Sequence, residues 1–98
     1  MTIRVENQGN ALLLAPVGRL DTLTAPELEK EIRAIPDSVT SLTLDFAGLE
    51  YISSAGLRVL LSAQKLMSGR DGMKVCHVNE VVNEIFDVTG FSDILTIE

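Results

Sequence analysis

Two adjacent serines are the residues of this sequence whose type and placement best suit chemistry. Ser53 and Ser54 stand in the stretch LEYISSAGLRVLL, between an apolar segment and a segment with helical spacing. Serine is among the best helix caps, because its side-chain oxygen accepts a hydrogen bond from a free backbone N–H of the first turn. An exposed serine hydroxyl can instead be phosphorylated. The sequence therefore predicts a helix cap for one serine and leaves the role of the other open.

The residues that follow the serines are small. Ala55 and Gly56 would let the surface of another protein, or the active site of a kinase, approach the backbone closely. The junction itself lies between a strand region and a helix, and in open α/β sheets ligands usually bind in the crevice outside the carboxyl ends of the strands. A hydroxyl at this junction would be presented to a partner.

Periodic patterns define the elements that must position the serines. Apolar residues alternate with polar ones, or form short continuous runs, where strands are predicted, and they recur every three to four residues where helices are predicted. We predict strands at 3–6, 11–17, 41–46, 73–78 and 94–97, and helices at 25–34, 57–67 and 80–90.

This order of elements predicts an α/β fold. The short turn after the first strand forces an antiparallel hairpin, whereas the later alternation of strands and helices favours parallel pairing. We expect a mixed, mostly parallel sheet opened by an antiparallel hairpin, with helices packed on it. A chain of 98 residues with 46% hydrophobic residues suffices for one domain, spanning 1–98.

Charge and composition exclude several functions. The net charge is −6 and the eight basic residues are scattered, so binding to nucleic acid would be opposed electrostatically. The N-terminus lacks the pattern of a signal peptide, and the longest apolar run, 11–17, is much shorter than the ~20 residues that span a bilayer. Since Cys76 is the only cysteine, no internal disulfide can form. We expect a cytoplasmic protein without direct membrane insertion.

Neither Cys76 nor His77 predicts a metal site. Cys76 is interpreted as a small buried hydrophobic residue, because no basic residue close to it argues for a reactive thiolate. His77 is the only histidine, and without a cluster of Cys or His ligands it is interpreted as structural. We expect no metal and no cofactor.

Polar residues before the first predicted helix have two interpretations each. Asp21 follows a glycine-containing segment, where an aspartate often closes a turn through its side chain, and contact with a partner is the alternative. Thr22 is interpreted in the same way. Thr24 is favoured as a helix cap, because Glu27 follows it at the spacing of a capping box and Pro26 lies in the first turn.

Catalysis is the least supported class of function. Ser54, His77 and an aspartate would be the members of a hydrolase triad, since triads are assembled in space and not in sequence order. The nucleophile-elbow pattern, the phosphate-binding loop and the dinucleotide fingerprint are all absent. The run SAQK at 62–65 matches one motif of penicillin-binding enzymes without its companions. We therefore predict a protein that is not an enzyme.

Two stretches resemble the STAS family, the domains shared by anti-sigma factor antagonists and sulfate transporters. DFAGLEYISSAGLRVLL, at 45–61, is similar to the family signature, in which a strand leads through an aromatic residue to Ser-x-Gly-Leu. VGRLDTLTAPEL, at 17–28, is similar to the family's Gly-x-Leu-Asp turn and first helix. The predicted order of elements also agrees, so the resemblance covers essentially the whole chain.

The resemblance implies a phosphorylation switch without catalysis in the domain itself. In antagonists of this family the dephosphorylated domain binds an anti-sigma factor that is a serine kinase, and so releases a sigma factor. That kinase phosphorylates the serine two residues before the glycine, which is Ser54 here, and a metal-dependent serine phosphatase reverses the step. Typical antagonists carry Asp before this serine and Ser or Thr after it, whereas this chain has Ser53 and Ala55. Ser53 is thus a second, less favoured acceptor.

The resemblance also implies a partner-binding surface and an alternative function. The residues expected to bind the partner are Asp21, Thr22, Ser53, Ala55, Gly56, Leu57 and Arg58. The alternative is a subunit of a membrane lipid-transport ABC complex, because related domains bind the ATPase of a transporter without being phosphorylated.

Overall fold

Five strands and three helices make up the fold, and the computed structural model describes all of residues 1–98. The strands are β1 (Thr2–Gln8), β2 (Ala11–Leu20), β3 (Ser41–Asp45), β4 (Leu49–Ile52) and β5 (Gly72–Cys76). The helices are α1 (Ala25–Arg33), α2 (Ser54–Ser68) and α3 (Glu80–Thr89). None of the three is long and apolar enough to cross a membrane.

The sheet is mixed, and most of its pairings are parallel. β1 and β2 form an antiparallel hairpin, while β2 pairs in parallel with β3, and β3 with β5. β4 pairs in parallel with the second part of β2. The predicted fold class, a mostly parallel sheet opened by an antiparallel hairpin, is confirmed.

Strand β2 is long enough to pair with three strands, β1, β3 and β4. Its residues 11–14 pair with β3, and its residues 18–20 pair with β4. The register shifts between Gly18 and Arg19, and Gly18 has a φ of +107°, which glycine adopts without steric cost. The sequence predicted β2 only to residue 17 and did not predict β4, whose four residues are too few for a clear alternation.

The predicted apolar faces form the core. Leu28 and Ile32 of α1 are buried, as are the alternating Leu42 and Leu44 of β3. The buried face of α2 consists of Gly56, Leu57, Val59, Leu60, Ala63 and Met67. In α3 the helical spacing predicts an apolar face of Val81, Val82, Ile85 and Phe86; Val82 and Phe86 are buried, whereas Val81 is 53% exposed.

Two local predictions were wrong. No closing strand forms at 94–97: a 3-10 turn (Phe91–Asp93) follows α3, and only Ile97 makes an isolated parallel bridge, to Val75. Helix α2 begins at Ser54 and not at residue 57, because the capping residue is Ser53. The carboxyl end of β4 therefore leads into α2 through Ser53 alone, whereas a four-residue turn joins β2 to α1.

Candidate docking and phosphorylation site

The candidate site lies where β2 and β4 end side by side. Leu20 and Ile52, the last residues of these strands, are partners in the parallel register. The backbone N–H of Ser53 donates a 2.8 Å hydrogen bond to the carbonyl oxygen of Leu20. Asp21 and Ser53 thus begin two adjacent segments, which brings the two sequence motifs onto one edge of the molecule.

Ser53 is the cap of helix α2. Its backbone is extended, with φ −98° and ψ 177°, and its Oγ accepts a 3.5 Å hydrogen bond from the N–H of Gly56. Its carbonyl oxygen accepts the N–H of Leu57 at 2.9 Å. The predicted capping role therefore falls to Ser53.

Ser54 is the first residue of helix α2 and is exposed. The capping interaction uses the hydroxyl of Ser53 and leaves that of Ser54 facing solvent. The first turn of α2 contains no acidic residue. The positive end of the helix dipole is therefore not offset by a carboxylate from the helix itself.

Gly56 and Leu57 lie behind this surface, in the core. A Cβ at position 56 would come within 2.7 Å of Cγ1 of Ile52 and 2.9 Å of Cγ of Leu20, which is closer than real Cβ contacts. Leu57 is only 6% exposed. Both residues were expected at the partner surface, but their burial means that they support it by packing and not by side-chain contact.

Asp21 closes the turn between β2 and α1. Its Oδ1 accepts the backbone N–H groups of Leu23 at 3.0 Å and Thr24 at 3.2 Å. These bonds, first that from Thr24, hold the pKa of the Asp21 carboxyl below its usual value of 3.8. The carboxylate is therefore charged at neutral pH, and the predicted turn role of Asp21 is confirmed.

Thr24 does not form the predicted capping box. No side-chain capping bond is present at the start of α1, because the Thr24 hydroxyl has other partners. It donates to the carbonyl oxygen of Arg19 at 2.7 Å and accepts the N–H of Asp21 at 2.8 Å. The threonine thus ties the end of β2 to the turn.

A groove of about 330 Å³ runs between α1 and α2 beside Ser54. Thr22 and Pro26 line it on one side, and Ala55 and Arg58 line it on the other. Arg58 is exposed, and no carboxylate lies within ion-pair distance of it. Thr22, Ala55 and Arg58, all expected at the partner surface, therefore share one groove.

Sequence reasoning missed an apolar residue at this edge. Leu23, at the tip of the turn that Asp21 closes, is 87% exposed. Leu23 precedes α1 and is not part of its apolar face, so helical periodicity could not predict its role. We use the term docking face for the exposed or half-buried residues Asp21, Thr22, Leu23, Ser54, Ala55 and Arg58.

A second group of polar residues lies at the carboxyl ends of β3 and β5. Nδ1 of the exposed His77 is 2.9 Å from Oδ1 of Asp45, which also accepts the backbone N–H of Ala47 at 3.0 Å. The Ala47 N–H is the main reason that the pKa of Asp45 is lowered. Cys76 is half-buried, not fully buried as expected, and desolvation raises the pKa of its thiol. This group lies at the ends of β3 and β5, and its hydrogen bonds do not involve Ser54, which follows β4.

The fold and the site together define a class of protein: an α/β domain with an exposed serine at the start of a helix, where two parallel strands end side by side. The chain belongs to the STAS domain family, whose model matches residues 2–98. This confirms the family indicated by the two motifs.

The relatives of this chain are named as anti-sigma factor antagonists. BtrV of Bordetella bronchiseptica, which carries that name provisionally, is 32% identical, with 99% of this chain and 85% of BtrV covered. The anti-sigma-B factor antagonist of Bacillus subtilis is 24% identical, with 99% of this chain and 90% of the relative covered.

Similarity extends to a solved structure. The crystal structure of an anti-sigma factor antagonist from Mycobacterium paratuberculosis superposes with a TM-score of 0.88 at 26% identity. The superposition covers 98% of this chain and 83% of that one. The fold described above is therefore shared with an antagonist over nearly its whole length.

Proposed function

We propose that this protein is an anti-sigma factor antagonist switched by phosphorylation of Ser54. The unphosphorylated protein binds an anti-sigma factor that is a serine kinase, and so releases a sigma factor. Phosphorylation ends the binding, and a serine phosphatase restores it. The observation that carries the proposal is the division between the serines: Ser53 caps α2, whereas Ser54 is exposed and free for modification.

The docking face has the composition of a binding surface. Leu23 offers a large apolar side chain, and the groove between α1 and α2 receives side chains of the partner. Asp21 offers a fixed negative charge and Arg58 an unpaired positive one. Exposed apolar anchors and charges of both signs give a partner affinity and orientation.

Phosphorylation at Ser54 is compatible with the fold. A phosphate there would meet the free N–H groups at the N-terminus of a 15-residue helix and the positive end of its dipole. Arg58 lies four residues later, one helical turn away on the same face. An acidic group that precedes a basic one by four residues is the favourable order for an ion pair in a helix.

The same phosphate is unfavourable for binding. It adds about −1.5 to −2 charges at neutral pH to a chain whose net charge is −6. In the complex this dianion would be desolvated, and it would draw Arg58 away from the carboxylates of the partner. A penalty of about 3 kcal/mol, within the range for an unpaired buried charge, weakens binding by roughly a hundredfold.

Ser53 is the weaker candidate for phosphorylation. Its hydroxyl accepts the N–H of Gly56, so modification would disturb the start of α2. Ser53 stands where antagonists of this family typically have aspartate, and both residue types cap helices well. We infer that Ser53 keeps the structural role of that aspartate without its charge.

Four further features belong to the proposal. The 98-residue chain works as one STAS domain, binds no nucleic acid and acts in the cytoplasm. It acts as a binding protein and not as an enzyme, because Ser54 follows β4 and no hydrogen bond joins it to the His77–Asp45 pair at the ends of β3 and β5. The kinase and phosphatase activities belong to its partners.

The test is capture of partners from the native host with the wild-type chain, followed by peptide mapping of the recovered protein. An anti-sigma kinase, together with phosphate on Ser54, is the expected result. Calorimetry with that partner should then show tight binding for wild type and Ser54→Ala, and binding weakened about a hundredfold for Ser54→Asp.

The matched control is Ser38→Asp, which adds the same charge at an exposed residue in the loop before β3. Equal binding by Ser54→Asp and Ser38→Asp would overturn the switch. Capture of a transporter ATPase, with Ser54 unmodified, would favour the lipid-transport alternative, in which the docking face binds permanently.

A further inference from the structure

Three metal-ligating side chains of different kinds meet at the carboxyl ends of β3 and β5. Asp45 offers a carboxylate oxygen, Cys76 its Sγ and His77 a ring nitrogen, and these atoms all lie within 4.8 Å of one another. Asp45 is separated from the other two residues by about thirty positions of sequence, so only the fold reveals the cluster. None of the three belongs to the docking face.

The sheet places two of these ligands directly side by side. Asp45 and Cys76 are register partners in the parallel pair β3 and β5, and partners in register project their side chains on the same face. The N–H of Phe46 donates to the carbonyl oxygen of Cys76 at 2.9 Å, which extends the pairing beyond Asp45. The N–H of Ala47 donates a hydrogen bond to Oδ1 of Asp45 and so helps to fix the carboxylate.

The third ligand reaches the cluster through an unusual backbone conformation. By strand alternation His77 would face away from Cys76. His77 is instead the one non-glycine residue with positive φ, at +58°, and its Nδ1 lies 2.9 Å from Oδ1 of Asp45. Left-handed conformations cost energy in residues with a Cβ, and they are often found at functional sites.

We propose that Asp45, Cys76 and His77 form a zinc-binding site. Thiolate, imidazole and carboxylate together suit Zn²⁺, whereas Mg²⁺ and Ca²⁺ prefer oxygen ligands alone. Tetrahedral zinc with bonds of about 2.0–2.3 Å needs its ligand atoms about 3.3–3.8 Å apart, so small side-chain rotations suffice. Three protein ligands leave the fourth position to water. On binding, the Cys76 thiol loses its proton to the buffer as the zinc–sulfur bond forms.

Two positive charges oppose a cation at this site: Lys74, which acts on the Cys76 thiol, and Arg4, which lies beside Asp45. The Arg4 guanidinium lies 3.7 Å from Oδ2 of Asp45 and 3.1 Å from Oε2 of Glu6. The Arg4 side chain is 59% exposed, so it can move away while keeping its contact with Glu6. Removing Arg4 should therefore tighten metal binding.

The test is titration of the untagged full-length chain with Co²⁺, a spectroscopic substitute for Zn²⁺. We expect one ion per chain, a thiolate-to-cobalt charge-transfer band, and displacement of Co²⁺ by Zn²⁺. Cys76→Ser should abolish the band, His77→Ala and Asp45→Asn should each weaken binding at least about tenfold, and Arg4→Ala should strengthen it. Asp93→Asn, in the 3-10 turn, is the control that should change nothing.

Several results would overturn the proposal. These are absence of the band in the wild-type chain, one ion per two chains, or equal binding by wild type, His77→Ala and Asp45→Asn. Thermal unfolding provides a second readout, since an ion that binds only the folded chain raises Tm. Zn²⁺ should raise the Tm of wild type and leave that of folded Cys76→Ser unchanged.

Discussion

The N–H of Ser53 donates a 2.8 Å hydrogen bond to the carbonyl oxygen of Leu20, and this bond joins the two halves of the docking face. Residues after Leu20 form the turn that carries Asp21 and Leu23, while residues after Ser53 form the start of α2 with Ser54. Ser54 therefore lies beside residues that come from a part of the chain about thirty positions away.

The two halves of the docking face can lie this close together because Gly56 has no side chain. Gly56→Ala should destabilise the protein, because the new Cβ would lie 2.7 Å from Ile52 and 2.9 Å from Leu20, both fully buried. Overpacking costs about 1–3 kcal/mol, and the higher helix propensity of alanine offsets up to about 1 kcal/mol. We expect a net loss of about 1–2 kcal/mol and a Tm lower by several degrees in thermal unfolding.

Gly69→Ala is the matched control for this prediction. Gly69 follows α2 with a φ of −82°, and a Cβ there would meet nothing closer than the oxygen of Leu66 at 4.0 Å. The Tm of Gly69→Ala should be equal to or higher than that of wild type. If Gly56→Ala unfolds at the same temperature as Gly69→Ala, the packing argument is wrong.

Asp21 should contribute stability that depends on pH. Since its pKa is lowered in the folded state, its stabilising effect is fully present above the usual value of 3.8 and is lost as pH falls through the folded pKa. Asp21→Asn, which cannot ionise, should be less stable than wild type at neutral pH. Thermal unfolding over a pH series should show this difference shrinking as the solution becomes acidic.

The lowered pKa of Asp45 gives wild type a second contribution of the same sign, and Asp21→Asn retains it. Both proteins should therefore lose stability in acid, but wild type should lose more. A difference between them that stays constant from neutral to acidic pH would contradict the role of the Asp21 charge in the turn.

Local patterns were sufficient to predict most of the framework. Helical spacing predicted α1 at 25–34, and the helix spans Ala25–Arg33. Alternation predicted β3, whose Leu42 and Leu44 are buried. The Ser-x-Gly-Leu motif indicated the family and placed Ser54 beside a helix start. These features depend on residues within a few positions of one another, which is the range over which periodicity and capping act.

What the sequence could not predict depends on contacts between distant segments. Strand β4 pairs with residues 18–20 of β2, beyond the residues 11–14 that pair with β3, and this pairing contains a register shift between Gly18 and Arg19. Asp45 meets His77 only because β3 and β5 are neighbours in the sheet. Thr24 lost its predicted capping role because the carbonyl oxygen of Arg19 lies within reach of its hydroxyl.

Leu23 should be an anchor for the partner. Leu23→Ser should leave Tm unchanged, because the side chain is 87% exposed in the free protein. Burying a leucine in a complex contributes about 1.5–3 kcal/mol, so calorimetry with the anti-sigma partner should show affinity reduced at least about tenfold. Val88→Ser, at a residue of α3 that is 77% exposed, is the control and should bind as wild type does. Equal affinities for the two variants would exclude Leu23 from the interface.

Arg58 should pair with the phosphate once Ser54 is modified. With phosphoserine incorporated at position 54, phosphorus NMR should show the second phosphate pKa below its usual value of about 6, because the helix N-terminus and the guanidinium both favour the dianion. Arg58→Ala should raise that pKa by about 0.2–0.4 units, the equivalent of an ion pair four residues apart in a helix. Lys65→Ala removes an exposed cation near the far end of α2 and should leave the pKa unchanged. If both variants titrate like the unmutated phosphoprotein, Arg58 does not capture the phosphate, and the loss of partner binding must come from the charge of the phosphate alone.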